Sequence, residues 1–163
     1  MVNNAGIVDA EYATRMPMEL IDDVLDTNLR SVFILSNEFA RPLIAAKMPG
    51  RIVNIASIAA TSYSGGGAAL YSITKAGVVR VTETLAVEWS KFHINVNGIA
   101  PGLFATDMAD GMIDRSGDFS AHFPRKRLGP PEQMDSSLLF LVSPSSDAVT
   151  GTVIKIDDGQ GGR

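Results

Sequence analysis

RIVNIAS at residues 51–57 and INVNGIAPG at residues 94–102 decide the fold. Each is a short run of β-branched and small residues closed by a turn or loop former. Arg51–Ala56 and Ile94–Ala100 therefore read as strands buried on both faces. Between them lies YSITKAGVVRVTETLAVEWSKF, residues 71–92, a helix-length segment. Val78, Val79, Val81, Leu85, Val87 and Trp89 make it apolar on nearly all sides, which suits a central helix or one covered in an oligomer. Strand, helix, strand implies parallel pairing through a right-handed crossover.

The pattern extends in both directions. From Met18 to Lys47, Leu20, Ile21, Val24, Leu25, Leu29, Val32, Phe33 and Phe39 recur at spacings of three and four, which predicts a helix that Pro42 should kink or end. Asn28 sits in the same apolar stripe. Upstream, Met1 and Val2 offer only a stub of strand before the turn-like Asn3-Asn4-Ala5-Gly6. Downstream, residues 103–128 read as polar and irregular, long enough for a functional lid. A helix should start near Pro130-Pro131 and run to about Val142, and Thr152–Asp157 reads as the last strand before a glycine-rich tail. The fold class is α/β, with functional residues expected just beyond the carboxyl ends of the strands. Gly6, Ser57 and Pro101-Gly102 all fall there.

The 163 residues suit one domain, and 45% apolar with 20% charged residues excludes a disordered chain. A net charge of −4 argues against binding nucleic acid by phosphate neutralisation. The chain has no Cys and only two His, His93 and His122, so thiolate chemistry is excluded and no metal site is expected. No run has the length of a membrane span and no signal peptide is visible, so no membrane partner and a cytoplasmic protein are the expectation.

Tyr71 and Lys75 form a Y-x-x-x-K pair on one helix face. An ammonium beside a phenol favours the phenolate and should lower its pKa toward neutrality, making the tyrosine a proton donor or acceptor for an alcohol or carbonyl. The same pair also reads as an ordinary surface pair. Ser57 is placed to hold a carbonyl oxygen, or to cap a turn. Asn28 is a poor helix former that must find a partner if buried; it reads as a core amide or as a group that orders a water near Lys75. Asn3-Asn4-Ala5-Gly6 would let a flat ligand approach the backbone. Pro101-Gly102 with Thr106 would grip an amide or phosphate, or simply end a strand. Gly65-Gly66-Gly67 reads as a flexible connection.

Taken in order, NNAG at 3–6, TNLRSVF at 27–33, RIVNIAS at 51–57, YSITKAG at 71–77, INVNGIAPG at 94–102 and VTGTVIKIDDG at 149–159 resemble the short-chain dehydrogenase/reductase family along the whole chain. The closing phrases are similar to those of 3-oxoacyl-carrier-protein reductases. The resemblance implies a partial Rossmann-like three-layer fold, a parallel sheet with helices on both faces, in a single incomplete domain over residues 1–163. It implies an oxidoreductase that uses NAD or NADP to interconvert a small-molecule alcohol and ketone. Tyr71 would be the acid/base, and Lys75 would lower its pKa and hold the nicotinamide ribose. Ser57 would polarise the carbonyl, and Asn28 would anchor a water in the proton relay. Asn4, Ala5 and Gly6 would form the cofactor-side turn, while Pro101, Gly102, Phe104 and Thr106 would hold the carboxamide end. Residues 103–128 would be the substrate lid, with Phe104, Met108, Met112, Phe119 and Phe123 as an apolar lining. Arg125, Lys126 and Arg127 form a basic run that would meet an acidic carrier or phosphate, or simply water.

One part of the family pattern is not in this sequence. The T-G-x-x-x-G-x-G turn that sets the pyrophosphate at a helix N-terminus is not found, nor is the residue that selects NAD or NADP. The resemblance therefore implies that the N-terminal strands are lacking and that the chain is a fragment with little activity as written. The alternative is a non-catalytic short relative that associates with full-length members. In either case helices 18–47 and 71–92 are the expected contact surfaces, in a homo-oligomer or with those relatives.

Overall fold

The structure, a computed structural model, describes residues 1–8, 11–63, 65–118 and 120–161. Four strands form one sheet in the order β1-β2-β3-β4: Val2–Asn3, Gly50–Ile55, Ile94–Pro101 and Val153–Ile156. Every pair is parallel, with Val53 opposite both Val2 and Asn97, and Ile99 opposite Ile154. The helices are α1 (Met18–Leu25), α2 (Ser31–Ala46), α3 (Ala69–Trp89), α4 (Asp107–Ser116) and α5 (Asp135–Val142).

The expected α/β fold with a parallel sheet is present, and its two faces are covered differently. On one face Ile52, Ile94 and Val96 pack with Ala40 of α2 and with Leu85, Ala86 and Trp89 of α3. On the other, Val53 and Ile99 pack with Leu141 of α5. Alternate residues of β2 and β3 thus serve opposite layers, which is why both strands carry apolar residues on both faces. Buried amides fix the register between layers: Asn3 Nδ2 donates to Asn54 Oδ1 (2.8 Å) and Ser36 Oγ (3.1 Å), and Asn54 Nδ2 donates to Thr82 Oγ1 (3.0 Å). Satisfied in this way, they specify one arrangement instead of costing stability.

Three segments differ from the sequence reading. Pro42 neither ends nor breaks its helix, which runs to Ala46 and closes on Lys47 at φ 52°. Pro42 and Glu38 both lie on the exposed face, so the carbonyl deprived of its donor is on the solvent side. The helix is instead altered earlier, where Asp26–Arg30 forms a π-helical turn between α1 and α2. The lid segment is not irregular: Thr106 caps α4 within it. The helix after Pro130 begins as a 3-10 turn, Pro131–Met134, before α5. Phe119, placed in the lid lining by the sequence, lies outside the described residues.

Candidate active site

The carboxyl ends of β1, β2 and β3 open into a cleft of about 920 Å³. Asn4, Ala5 and Gly6 line it from the turn after β1; Pro101, Gly102, Phe104 and Thr106 line it from the segment after β3. Tyr71 and Lys75 enter from the first turns of α3. Of the lid residues, Met108, Met112 and Phe123 join Phe104 on the wall, with Met134 added from the turn before α5.

Tyr71 and Ser57 share a side-chain hydrogen bond, while Ser57 Oγ also accepts from Ala59 N at 3.1 Å as the cap of a 3-10 turn. The turn-cap role read for Ser57 is present, and the same hydroxyl also meets the tyrosine. Lys75 is 4% exposed and donates from Nζ to Ile55 O at 2.9 Å. Its ammonium lies 5.6 Å from the centre of the Tyr71 ring. Burial pulls the ammonium down from 10.5 to about 8. Burial pushes the Tyr71 phenol up, opposed by the bond to Ser57. The predicted lowering of the phenol is therefore not what the protein alone provides, because desolvation is the larger influence.

Asn28 stands behind this group, fully buried in the π-helical turn. Its Nδ2 donates to Ile7 O at 2.8 Å and to Thr74 Oγ1 at 3.2 Å, and its Oδ1 accepts from Ile7 N at 2.8 Å. Both ends of the amide are engaged within the chain. Thr74, which donates to Tyr71 O at 2.8 Å, carries the connection into the α3 turn that bears the pair. A Cβ on Gly6 would lie 3.2 Å from Lys75 Nζ and 3.5 Å from Asn28 Oδ1, so glycine leaves the approach to the ammonium open.

Thr106 is the N-cap of α4, its Oγ1 accepting from Ala109 N at 3.4 Å. Arg125 and Arg127 are not a free basic patch. Arg127 Nε lies 2.8 Å and Arg125 Nη1 3.1 Å from the Asp158 carboxylate. The hydrogen bond from Arg127 holds that carboxyl below its usual range. The sequence reading missed Thr74 and Gln160; a buried threonine one residue before the lysine and a glutamine among tail glycines carry no pattern of their own. Among the described residues, no three His, Asp or Glu side chains gather as a metal ion requires, and no helix is long and apolar enough to cross a membrane.

Ser57, Tyr71 and Lys75 thus come together at the carboxyl edge of a parallel sheet. The chain belongs to the short-chain dehydrogenase/reductase family: a family model described as enoyl-(acyl carrier protein) reductase matches residues 1–160. It is similar to the 2-dehydro-3-deoxy-D-gluconate 5-dehydrogenase of Dickeya dadantii (strain 3937), with 39% identity over 98% of this chain and 64% of that protein. It is also similar to the 3-oxoacyl-(acyl-carrier-protein) reductase FabG of Vibrio cholerae serotype O1, with 36% identity over 98% of this chain and 65% of that one. Among solved structures, F189W actinorhodin polyketide ketoreductase with NADPH matches at a TM-score of 0.92 and 31% identity, over 99% of this chain and 67% of that one. Another solved neighbour carries NADH. The chain spans just under two thirds of the length of the curated relatives it matches.

Proposed function

We propose that this chain carries the proton-transfer half of an NAD(P)-dependent interconversion of a secondary alcohol and a ketone. The observation that carries the reading is the Ser57–Tyr71 hydrogen bond, with Tyr71 and Lys75 both lining the cleft. The residues fit a nicotinamide ribose and ring: Gly6 leaves the Lys75 ammonium accessible, and Pro101, Gly102, Phe104 and Thr106 wall the opposite side.

A bound nicotinamide supplies or accepts the hydride at the substrate carbon. The chain's own part is the proton. Ser57 Oγ donates to the carbonyl oxygen and orients it beside Tyr71. Tyr71 Oη gives its proton to that oxygen in reduction and takes it back in oxidation. Burial makes the resulting phenolate costly, and the Lys75 ammonium offsets that cost. Asn28, through Ile7 and Thr74, holds the segment after β1 against the α3 turn. Residues 103–128 act as the lid.

We further propose little turnover from this length of chain, and association through α1–α2 and α3 with a second copy or with full-length relatives. Consecutive exposed apolar residues Phe33, Ile34 and Leu35 on α2, and Ile73 and Val87 on α3, support that surface. Consumption of NADH or NADPH with neutral ketones tests the chemistry. Where the chain retains measurable turnover, Tyr71→Phe is expected to cut it by roughly 10²–10⁴-fold with unfolding unchanged. Equal residual turnover in the two proteins would sink the reading in favour of the non-catalytic partner role.

A further inference from the structure

We propose that Gln160 is a positioning residue for the nicotinamide end of the cleft, an inference that rests on the cofactor reading above. Pairing of β3 with β4 ends at Pro101–Ile156, and Gly102 N still donates to Ile156 O at 2.8 Å. At Leu103 the chain leaves the sheet, and the Gln160 side chain takes the place of a strand partner. Its Oε1 accepts from Leu103 N at 2.6 Å and its Nε2 donates to Leu103 O at 3.0 Å. One side-chain amide thus satisfies both backbone groups of one residue in the segment proposed to receive the carboxamide.

The grip is set from both sides. A Cβ at Gly102 would lie 2.6 Å from Gln160 Oε1 and 2.8 Å from Asp157 Cα, so the tail closes on a face that only glycine offers. The tail itself is a built turn: Gln160 N donates to Asp157 O at 2.8 Å, and the Asp157 carboxylate, 5% exposed, accepts from Gly159 N and Gly161 N at 3.0 Å each. Gly102, Leu103 and Gln160 all line the cleft. Gln160 therefore sets the shape of the turn without touching the reacting atoms.

The test uses the full 163-residue chain, amide hydrogen exchange and nicotinamide mononucleotide as the probe, with binding read from saturation transfer to its ring protons. Gln160→Met keeps the length of the side chain and removes both hydrogen bonds. Leu103 amide exchange is expected to quicken roughly tenfold and the probe to bind several-fold more weakly, while the Val53 amide in the core is unchanged. Gln160→Glu keeps an acceptor for Leu103 N and sets a carboxylate oxygen against Leu103 O. It should bind the probe as weakly as Gln160→Met while keeping more of the Leu103 protection. Unchanged Leu103 exchange in Gln160→Met overturns the inference, and so does faster exchange with unchanged probe affinity. A wild-type chain that does not bind the probe overturns the cofactor reading, and the role of Gln160 falls with it.

Discussion

Asn28 holds Ile7 by both of its backbone groups, Oδ1 accepting from Ile7 N and Nδ2 donating to Ile7 O, each at 2.8 Å. A side-chain amide here replaces the strand that would otherwise continue the pairing of β1. Asn28→Ala leaves the two Ile7 groups and Thr74 Oγ1 without this partner. The expected cost is about 1–3 kcal/mol, together with faster amide exchange at residues 5–8. Urea unfolding and exchange measure the two effects separately. Destabilisation with no change at Ile7 would mean that the amide serves packing alone.

The sheet was legible because β2 and β3 are buried on both faces, and that leaves short runs rich in β-branched and small residues in the sequence. The site residues were legible because the turns at the strand ends must be small or polar, and because Tyr71 and Lys75 keep the spacing of one helix face. What was not legible follows from tertiary context. Nothing local marks Asp26–Arg30 as a π turn, since its apolar stripe fits an α-helix equally well. α4 was hidden because a short helix of the sequence DMADGMIDRS carries a glycine and four charges. Its signal was the Thr106 cap, a residue that the sequence offers equally to a ligand grip or a strand-ending turn. The basic run 125–127 is exposed, in keeping with its solvated reading; its pairing with Asp158 was not legible because that partner lies some thirty residues away along the chain.

Gly102→Ala should displace the tail. The nearest obstruction is the Gln160 side chain, which can move, but Asp157 Cα at 2.8 Å is backbone and cannot move without opening the turn. Forcing a methyl group into this contact is expected to cost about 1–3 kcal/mol. Combining it with Gln160→Ala should recover only the part due to the side chain, so a double-mutant cycle with coupling well short of the whole effect is the expected result. Full recovery would mean that Asp157 yields freely.

The proposed lid is tied to the tail through Asp158, which accepts from Arg127 and Arg125. Asp158→Asn should quicken amide exchange across residues 120–127, most visibly at low salt, where exposed pairs are least screened. With the carboxyl held below 3.8, the tie is complete at neutral pH. It is lost only as acid protonates Asp158, with pH falling below its unfolded value through the lower folded one. Exchange over 120–127 that is identical in the two proteins at every salt concentration would show that the lid is held by packing alone.

Lys75 gives the stability of the chain a distinctive pH dependence. In the fold its ammonium titrates at about 8, and unfolded it titrates near 10.5. Below about pH 8 both states are charged, and the folded state bears the desolvation cost in full. Between those values the unfolded chain holds the proton and the folded chain has released it, so stability rises with pH. Lys75→Met lacks this titration. Burial places the folded Tyr71 pKa above the unfolded value, which lowers stability as pH rises past about 10. The comparison therefore stops near pH 10, below the range in which the phenol contributes. Relative to Lys75→Met, the wild type is therefore expected to gain up to about 3 kcal/mol between about pH 7 and pH 10, read from urea unfolding. A difference that stays flat across that range would mean that the ammonium remains hydrated. It would then face no burial cost, and Lys75 would titrate like any exposed lysine. A rise would show that the fold keeps a charge beside Tyr71 at a measurable loss of stability, as a site built to hold a phenolate requires.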